Sequence, residues 1–319
     1  MNLRRLGRLL CALAAAALLS ACAPFVPPQT AALQAQRPTD LPERIELGAT
    51  PFHPQTEFQC GPAALATLLG AAGVEADPTQ LADEVFVPAR KGSLQVEMLA
   101  SARRHGVLAV RLPGELEAVL RELAAGHPVL VMQNLGLSFV PAWHYAVAVG
   151  YDLERSDLIL RSGRTARELL AFRTFEHTWA RSGHWAFAAM PPGQLPATAS
   201  EVEVTAASVA FERVAPPAQA VQAYAAALQR WPASLTLAMG LGNARAAQGD
   251  VEAAAQTFAQ AAQSHDSAAA WNNLAQMRLK QGRKAEAVEA ARKAVQRAQA
   301  AEPQWLAAAR STLDEAEAH

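Results

Sequence analysis

The chain has 319 residues, of which 51% are hydrophobic, and its 28 basic and 29 acidic residues leave a formal net charge of −1 at pH 7. This near-neutral charge provides no basic surface for nucleic acid, so nucleic acid is excluded as a partner. Beyond the amino terminus, no stretch has the roughly 20 consecutive apolar residues that a transmembrane helix needs.

The amino terminus has the pattern of a secretory signal peptide, with arginines before an apolar run over 9–19 that is too short to span a bilayer. The run ends in Leu19-Ser20-Ala21-Cys22, which resembles the lipobox of bacterial lipoproteins. This resemblance implies a signal peptide over 1–21 and acylation of Cys22. Because Ala23 rather than aspartate follows, it also implies the outer membrane of a Gram-negative bacterium, facing the periplasm. The alternative is an ordinary secretory signal.

Two proline-rich segments divide the rest of the chain. Residues 22–47 contain several prolines among polar residues, which is typical of an extended spacer, although a segment packed on the next domain is the alternative. A second break at 191–200 separates mixed patterns from an alanine-rich region. We therefore predict one domain over 48–192, a linker over 193–203 and a second domain over 204–319, each long enough to bury a core.

In the first domain, apolar residues at three- and four-residue spacing predict helices over 61–72, 78–85 and 94–105. Short runs rich in valine, leucine and aromatic residues predict strands over 107–111, 129–133, 143–151, 157–161 and 185–190. Helices followed by an antiparallel meander indicate an α+β fold. Trp143 and Trp185 either border a cleft or belong to the core.

Cys60 is the one cysteine that the mature chain would keep as a free thiol, because Cys11 leaves with the signal peptide and Cys22 is acylated. It precedes Gly61 and an apolar helix, with Pro62 in the first turn, where its missing N–H costs nothing. A thiol at a helix start faces the positive end of the helix dipole, which lowers its pKa and favours the reactive thiolate. Cys60 is therefore a candidate nucleophile.

His144 lies at the start of the most regular predicted strand. Strict alternation places it on one face with small residues at 146, 148 and 150. We expect this small-residue face to meet the helix that carries Cys60, so that the imidazole can act on the thiol. The alternative is a histidine that only satisfies hydrogen bonds at a strand end.

Three motifs resemble the papain-like peptidases, and most closely the C39-like peptidase family: Gln55 with Cys60-Gly-Pro-Ala-Ala64, Gly92-Ser93, and His144-Tyr-Ala-Val-Ala-Val-Gly150-Tyr-Asp152. The resemblance implies a papain-like fold and a cysteine peptidase. In that family the thiolate attacks a peptide carbonyl, the histidine is general base and then acid, and the glutamine helps to form the oxyanion hole. These roles would belong to Cys60, His144 and Gln55, with Gln59 as the alternative donor.

The chain departs from this family at the third catalytic position, usually an aspartate at the end of the next strand, where Ser162 stands. A hydroxyl can accept the imidazole N–H, but it brings no charge to stabilise an imidazolium. Asp157 and Asp152 are alternative partners for the histidine, or plain turn residues. Two functions therefore stay open: a peptidase, and a non-catalytic adaptor that binds peptides in a degenerate site.

Other chemistries lack their motifs. The sequence has no Gly-x-Ser-x-Gly elbow, phosphate loop, Cys-x-x-Cys or His-Glu-x-x-His, and His177 and His184 lack carboxylates at a metal-binding spacing. We predict neither a metal nor a cofactor.

The carboxy-terminal region resembles tetratricopeptide repeats, since Tyr224 and Phe258 lie 34 positions apart and Leu241 and Leu274 lie 33 apart. In such repeats, small residues let paired helices approach and a large aromatic residue fills the gap above them. We predict an all-α stack: a helix of an incomplete first repeat near 218–230, two fuller repeats, and a capping helix over 304–318.

A stack of this kind has a concave groove that can bind peptides. Asn272, Asn273 and Gln276 are the candidate contacts, and the alternative, which a shallow groove of two to three repeats favours, is that they are only solvated or turn-capping residues. The predicted partners are a peptide or protein substrate for the first domain, a protein for the repeats, and the membrane through the lipid anchor.

Overall fold

The computed structural model describes residues 26–55 and 59–318. The predicted signal peptide and Cys22 lie outside these residues. Among the helices described, none is long and apolar enough to cross a bilayer.

The first part of the described chain is α+β. Its helices are α1 (Pro28–Ala35), α2 (Cys60–Ala71), α3 (Pro78–Val85), α4 (Gln95–Arg104), α5 (Leu116–Ala124) and α6 (Phe172–Ala180). Its strands are β1 (Arg44–Glu46), β2 (Phe86–Val87), β3 (Gly92–Ser93), β4 (Leu108–Arg111), β5 (Val129–Asn134), β6 (Trp143–Asp152), β7 (Asp157–Ser162), β8 (Thr165–Ala171) and β9 (Ala186–Met190). The predicted helices and strands are all present, with ends within one residue of those expected. The sequence did not predict α1, α5, α6, β1 or β8, nor the short β2 and β3.

The main sheet is antiparallel, with strand order β4-β9-β5-β6-β7-β8, and β1 pairs with the end of β6. Strands β5 to β7 form a meander as predicted, and β8, which was not predicted, extends it. β9 instead lies between β4 and β5, which the order of elements along the chain does not reveal. Every residue of β9 is buried, and a strand buried along its whole length is best accommodated in the interior of a sheet.

Helices cover both faces of this sheet. α2 packs on the face that carries Tyr145 and Val147, whereas α5 and α6 pack on the face that carries Ala146 and Ala148. The expectation that the small-residue face of β6 meets the Cys60 helix is therefore wrong. The large side chains of β6 fill the space beneath α2, and the small ones make room for α5 and α6.

Residues 28–47 are folded onto the domain, so the extended spacer predicted over 22–47 is wrong from Pro28 onwards. Thr30 is buried, and its backbone N–H and hydroxyl donate to the buried carboxylate of Glu176 in α6 at 2.6 and 2.7 Å. β1 pairs with β6, with Ile45 opposite Tyr151. The prolines gave the segment the composition of a spacer, but its apolar and hydroxyl side chains have partners in the domain.

The second part is entirely helical: α7 (Glu201–Glu212), α8 (Pro217–Arg230), α9 (Leu235–Gln248), α10 (Val251–His265), α11 (Ala268–Lys280), α12 (Lys284–Ala300) and α13 (Leu306–Ala318). The helix predicted near 218–230 is present as α8, and the sequence did not predict α7, which precedes it. A capping box of Ser200 and Glu203 marks the start of α7. The fold class is as predicted: an α+β domain with an antiparallel sheet, followed by an all-helical stack.

Glycines in α9 allow aromatic residues of the neighbouring helices to pack closely. A Cβ added at Gly240 would lie 2.3 Å from the ring of Tyr224, and one at Gly242 would lie 2.4 Å from the ring of Phe258. The alternation of small and aromatic residues in the repeat is thus a direct consequence of how these helices cross.

The two parts share one continuous core. α7 packs on β4, and Phe211 belongs to the same apolar cluster as Leu108. The predicted linker over 193–203 is also tied down, because the fully buried carboxylate of Glu122 in α5 accepts from the Thr198 N–H and hydroxyl at 2.7 and 2.6 Å. The stack is therefore held against the α+β domain by both apolar and polar contacts.

Candidate active site

Cys60 is the first residue of α2, and Pro62 lies in the first turn, as predicted. The first N–H groups of a helix lack intrahelical partners, so they are available at the thiol. Gly61 is required beside it, since a Cβ there would lie 2.3 Å from Oγ of Ser93. The Tyr145 hydroxyl donates to the Ser93 carbonyl at 3.1 Å, which holds β3 against the start of the helix.

Cys60 and His144 line one cleft, which has a volume of about 620 Å³ and is also lined by Gln55. Cys60 packs at the margin of the core beneath α2, whereas the small residues that alternate with His144 face α5 and α6. The thiol and the imidazole therefore lie at the end of the sheet, where β6 begins, and not across its face. The structure brings together all three residues predicted for the chemistry.

Ser162 is the hydrogen-bond partner of His144, with 2.9 Å between Nε2 and Oγ. Ser162 ends β7, opposite Ala146 in β6. Because Nε2 of His144 contacts the Ser162 hydroxyl, Nδ1 is the ring nitrogen that remains available to act on the Cys60 thiol.

Asp157 does not reach His144. It pairs with Asp152 at the far end of the two strands, five residues from Ser162, or roughly 16 Å at the rise of a β-strand. Asp152 accepts from the backbone N–H of Arg155 in the connecting turn. The structure thus selects Ser162 over Asp157 as the residue that contacts the imidazole.

Burial raises the pKa of the Cys60 thiol, although the backbone amides of Tyr145, Gly61 and Cys60 itself act in the opposite direction. The predicted lowering of this pKa at the helix start is therefore wrong in its net direction, because loss of hydration outweighs the amides. Burial lowers the pKa of His144, against which the negative charge of Glu168 acts to raise it. Both directions favour a neutral thiol beside a neutral imidazole.

Gln55 is placed close to both chain segments of the site. Its backbone N–H donates to the Gly163 carbonyl at 3.0 Å, directly after Ser162, and Gln55 borders the cleft together with Cys60. Gln59 precedes α2 as its N-cap residue and is not part of the cleft lining. The geometry thus favours Gln55 over Gln59 as the candidate oxyanion donor.

Residues 90–95 and 141–143 supply most of the remaining lining of the cleft. Trp143 is 50% exposed and borders it, whereas Trp185 is 2% exposed and belongs to the core. Arg90 also lines the cleft, and Glu168 lies on β8, within electrostatic range of His144. Sequence reasoning missed Arg90 and Glu168, because only the pairing of β7 with β8 and the path of the loop before β3 bring them to the site.

The residues predicted to contact a peptide in the groove of the helical stack differ in solvent exposure. Asn272 is only 3% exposed, so its prediction as a peptide contact is wrong: it lies inside the stack. Asn273 donates from its amide to Oδ1 of Asn243 at 3.3 Å. Gln276 is exposed and lines a cavity of about 490 Å³ with Glu315 of α13.

Residues 26–55 and 59–318 contain no cluster of three or more histidine, cysteine, aspartate or glutamate side chains able to hold a metal ion.

Residues 49–187 match the model of a protein family described as the Peptidase_C39 like family, a match that covers less than half of the chain but includes Cys60, His144 and Ser162. This match supports a peptidase-like domain in this part of the chain. No curated protein matches the chain.

Several solved structures are similar to parts of the chain. A putative C39-like peptidase from Bacillus anthracis has 19% identity and a TM-score of 0.40, over 47% of this chain and 98% of that one. The peptidase domain of Streptococcus ComA, a bifunctional ABC transporter involved in quorum sensing, has 17% identity and a TM-score of 0.36, over 44% and 98%. The Yersinia enterocolitica type III secretion translocator chaperone SycD has 17% identity and a TM-score of 0.34, over 37% and 91%.

Proposed function

We propose that this protein is a cysteine peptidase, anchored by a lipid on Cys22 to the outer membrane, that hydrolyses a peptide bond in a periplasmic peptide or protein. The observation that carries the proposal is the single cleft lined by Cys60, His144 and Gln55, with His144 held by Ser162. The helical stack binds a protein partner or a remote segment of the substrate, which raises the local concentration of the scissile bond.

The neutral thiol and imidazole suit general-base catalysis. Nδ1 of His144 takes the proton of Cys60 as the sulfur attacks the peptide carbonyl carbon, and the imidazolium then donates that proton to the leaving amine. This step breaks the peptide bond and leaves a thioester on Cys60. Water, deprotonated by His144, attacks the thioester, releases the carboxylate and restores the thiol.

In this mechanism, two hydrogen-bond donors stabilise the developing oxyanion. The backbone N–H of Cys60 is free of intrahelical bonds at the start of α2. Gln55 borders the same cleft, and its side-chain amide is the second donor of the proposed mechanism. Prearranged donors of this kind contribute on the order of 3–4 kcal/mol each to transition-state stabilisation.

A second candidate function is peptide binding without catalysis. It is favoured by Ser162, which places a neutral hydroxyl on the imidazole, and by the burial that raises the pKa of Cys60. In that function the cleft holds a peptide and the helical stack holds a second protein, so the chain acts as an adaptor.

Cleavage of a diverse peptide library by the wild-type protein and by Cys60→Ala separates these functions. The peptidase predicts new termini, detected by mass spectrometry, that are absent with Cys60→Ala. Peptides that bind both proteins equally and stay intact would instead establish the adaptor. The melting temperature of Cys60→Ala serves as the folding control.

A further inference from the structure

The loop between β5 and β6 exposes an unusual number of large apolar side chains. We call residues 135–143 the apolar hairpin; they include no charged residue. Its exposed apolar side chains are Leu135 (54%), Leu137 (55%), Phe139 (80%), Val140 (63%) and Trp143 (50%). A cluster of this kind on a soluble surface marks a site that contacts another apolar surface.

Hydrogen bonds define the backbone conformation of the hairpin. Leu137 and Val140 exchange two backbone bonds at its tip, at 3.1 and 3.2 Å. Beneath them, Oδ1 of the buried Asn134 accepts from the N–H groups of Gly136 and Ala142 at 3.0 and 2.9 Å. These backbone groups are thus paired while the apolar side chains stay exposed, and no residue within 26–55 or 59–318 covers them.

The hairpin and the amino-terminal segment are attached to the same helix. Arg181, directly after α6, donates to the Gly136 carbonyl at 2.6 Å. Glu176, within α6, accepts from the Thr30 N–H and hydroxyl. These two attachment points are five residues apart, or about 7.5 Å along a helix.

The same end of the sheet receives both segments. The Gln29 amide donates to the Gly114 carbonyl at 3.0 Å, and Gly114 lies against His184, because a Cβ there would be 2.9 Å from that of His184. His184 precedes β9, whose first residue, Ala186, pairs with Val131 in β5, three residues before that strand ends and the hairpin begins. The chain therefore leaves the domain towards Cys22 at the end that carries the apolar hairpin.

The distance from the fold to Cys22 is short. Four residue steps separate Val26, the first residue described, from Cys22, and they span at most about 14 Å. Residues 22–28 contain no charge either. A lipid on Cys22 would therefore hold this end of the domain close to the bilayer.

From this geometry we infer that the apolar hairpin rests on the lipid bilayer surface, with Leu137, Phe139 and Val140 in the interfacial region. The inference relies on the acylation of Cys22 in the proposed function. Trp143 suits the same interface, since tryptophan is enriched where hydrocarbon meets water. With no cationic residue in the hairpin, its contact is apolar and independent of lipid charge.

The substrate follows from the place of the hairpin beside the cleft. Pro141, Ala142 and Trp143 belong to the hairpin and also line the cleft of Cys60 and His144. A hairpin seated on lipid opens this cleft at the membrane surface. The peptide bonds presented to it are then those of segments attached to or emerging from the bilayer.

The test uses the full-length acylated protein in vesicles, with Cys60→Ser to remove the free thiol. An environment-sensitive fluorophore is attached at Phe139→Cys and, as a matched control, at Val202→Cys of α7, since Phe139 and Val202 are 80% and 77% exposed. We expect the 139 label to shift to shorter wavelength and to be quenched by brominated lipids, equally in zwitterionic and anionic vesicles and at high salt. The 202 label should not respond.

Two results would overturn the inference. One is a 139 label that behaves like the 202 label, and the other is a 139 label that responds only when a peptide is added, which would assign the hairpin to the substrate. Mass spectrometry of Cys22 and cleavage of a soluble peptide by the wild type accompany the experiment. If the protein is acylated and active but the 139 label does not respond, only the contact of the hairpin with the bilayer is refuted. If Cys22 is unmodified, the lipid anchor is refuted as well.

A second variant tests the consequence for catalysis. Leu137→Ser with Phe139→Ser changes side chains outside the cleft lining. Cleavage of a soluble peptide should be unchanged, while cleavage of the same peptide tethered to a lipid in the vesicle falls several-fold. Equal rates on the tethered peptide for variant and wild type would contradict a membrane role of the hairpin.

Discussion

Nε2 of His144 lies 2.9 Å from Oγ of Ser162, so the imidazole at the proposed nucleophile is oriented by a neutral hydroxyl. A carboxylate at that place would stabilise an imidazolium, whereas a hydroxyl only fixes the ring. In the proposed mechanism, the histidine therefore starts neutral and acts as a base during the attack on the peptide carbonyl.

Ser162→Ala should reduce kcat about tenfold or less, because a neutral hydrogen bond has a net value of about 0.5–1.5 kcal/mol. Asp157→Ala, at the opposite end of β7, is the control and should leave kcat unchanged. Steady-state kinetics on a cleaved peptide measure both. A larger loss with Asp157→Ala than with Ser162→Ala would contradict the observed pairing.

The thiol of Cys60 should titrate above its ordinary pKa, because burial raises it. The pH dependence of alkylation, followed by mass spectrometry of the Cys60 peptide, measures this value. Replacing His144 with alanine should not raise it further, since no ion pair forms in the resting site. A midpoint below the ordinary value of about 8.5 that rises in His144→Ala would instead establish a preformed thiolate–imidazolium pair.

Glu168→Gln should move the acid limb of the pH profile of kcat/KM to lower pH. The carboxylate opposes the burial that lowers the pKa of His144, so its removal lowers that pKa further, and the neutral base persists to lower pH. The shift in the pKa of His144 should be below about one unit, because the interaction between two charges across water is about 1 kcal/mol or less. Glu154→Gln, in the exposed turn after β6, is the control; an equal shift there would exclude a local effect of Glu168.

Gln55→Ala should lower kcat by about 10²–10³ with little change in KM, as expected for a donor that acts on the oxyanion. Gln59→Ala is the matched control, one position before the nucleophile and outside the cleft lining. If Gln59→Ala proves the more damaging to kcat, the assignment of the donor must be reversed.

Gly242→Ala should destabilise the protein by about 1–3 kcal/mol, since the added Cβ would lie 2.4 Å from the ring of Phe258. Phe258→Leu in the same protein should recover part of the loss by making room. Gly48→Ala is the control, because a Cβ at Gly48 meets nothing within 4 Å. Thermal unfolding compares the variants, and an unchanged melting temperature for Gly242→Ala would refute the close packing in the stack.

Local patterns predicted much of this fold. Pro62 after Gly61 marked the start of α2, alternation marked β6, and the spacing of Tyr224 and Phe258 marked the helical repeats. The strand β8 was missed because it contains the charged pair Arg167 and Glu168, is largely exposed and lacks an apolar alternation. The helix α1 was missed because its prolines and polar residues have the composition of a spacer.

The sequence by itself determined the candidate site residues, Cys60, His144 and Gln55, and the two-part architecture, because these depend on residue type and on periodicity over a few neighbours. Only the tertiary structure decided which face of β6 meets α2, that Ser162 and not Asp157 contacts the imidazole, and that burial raises the pKa of the thiol. Strand pairing and hydration depend on segments far apart along the chain. No local pattern of residues contains that information.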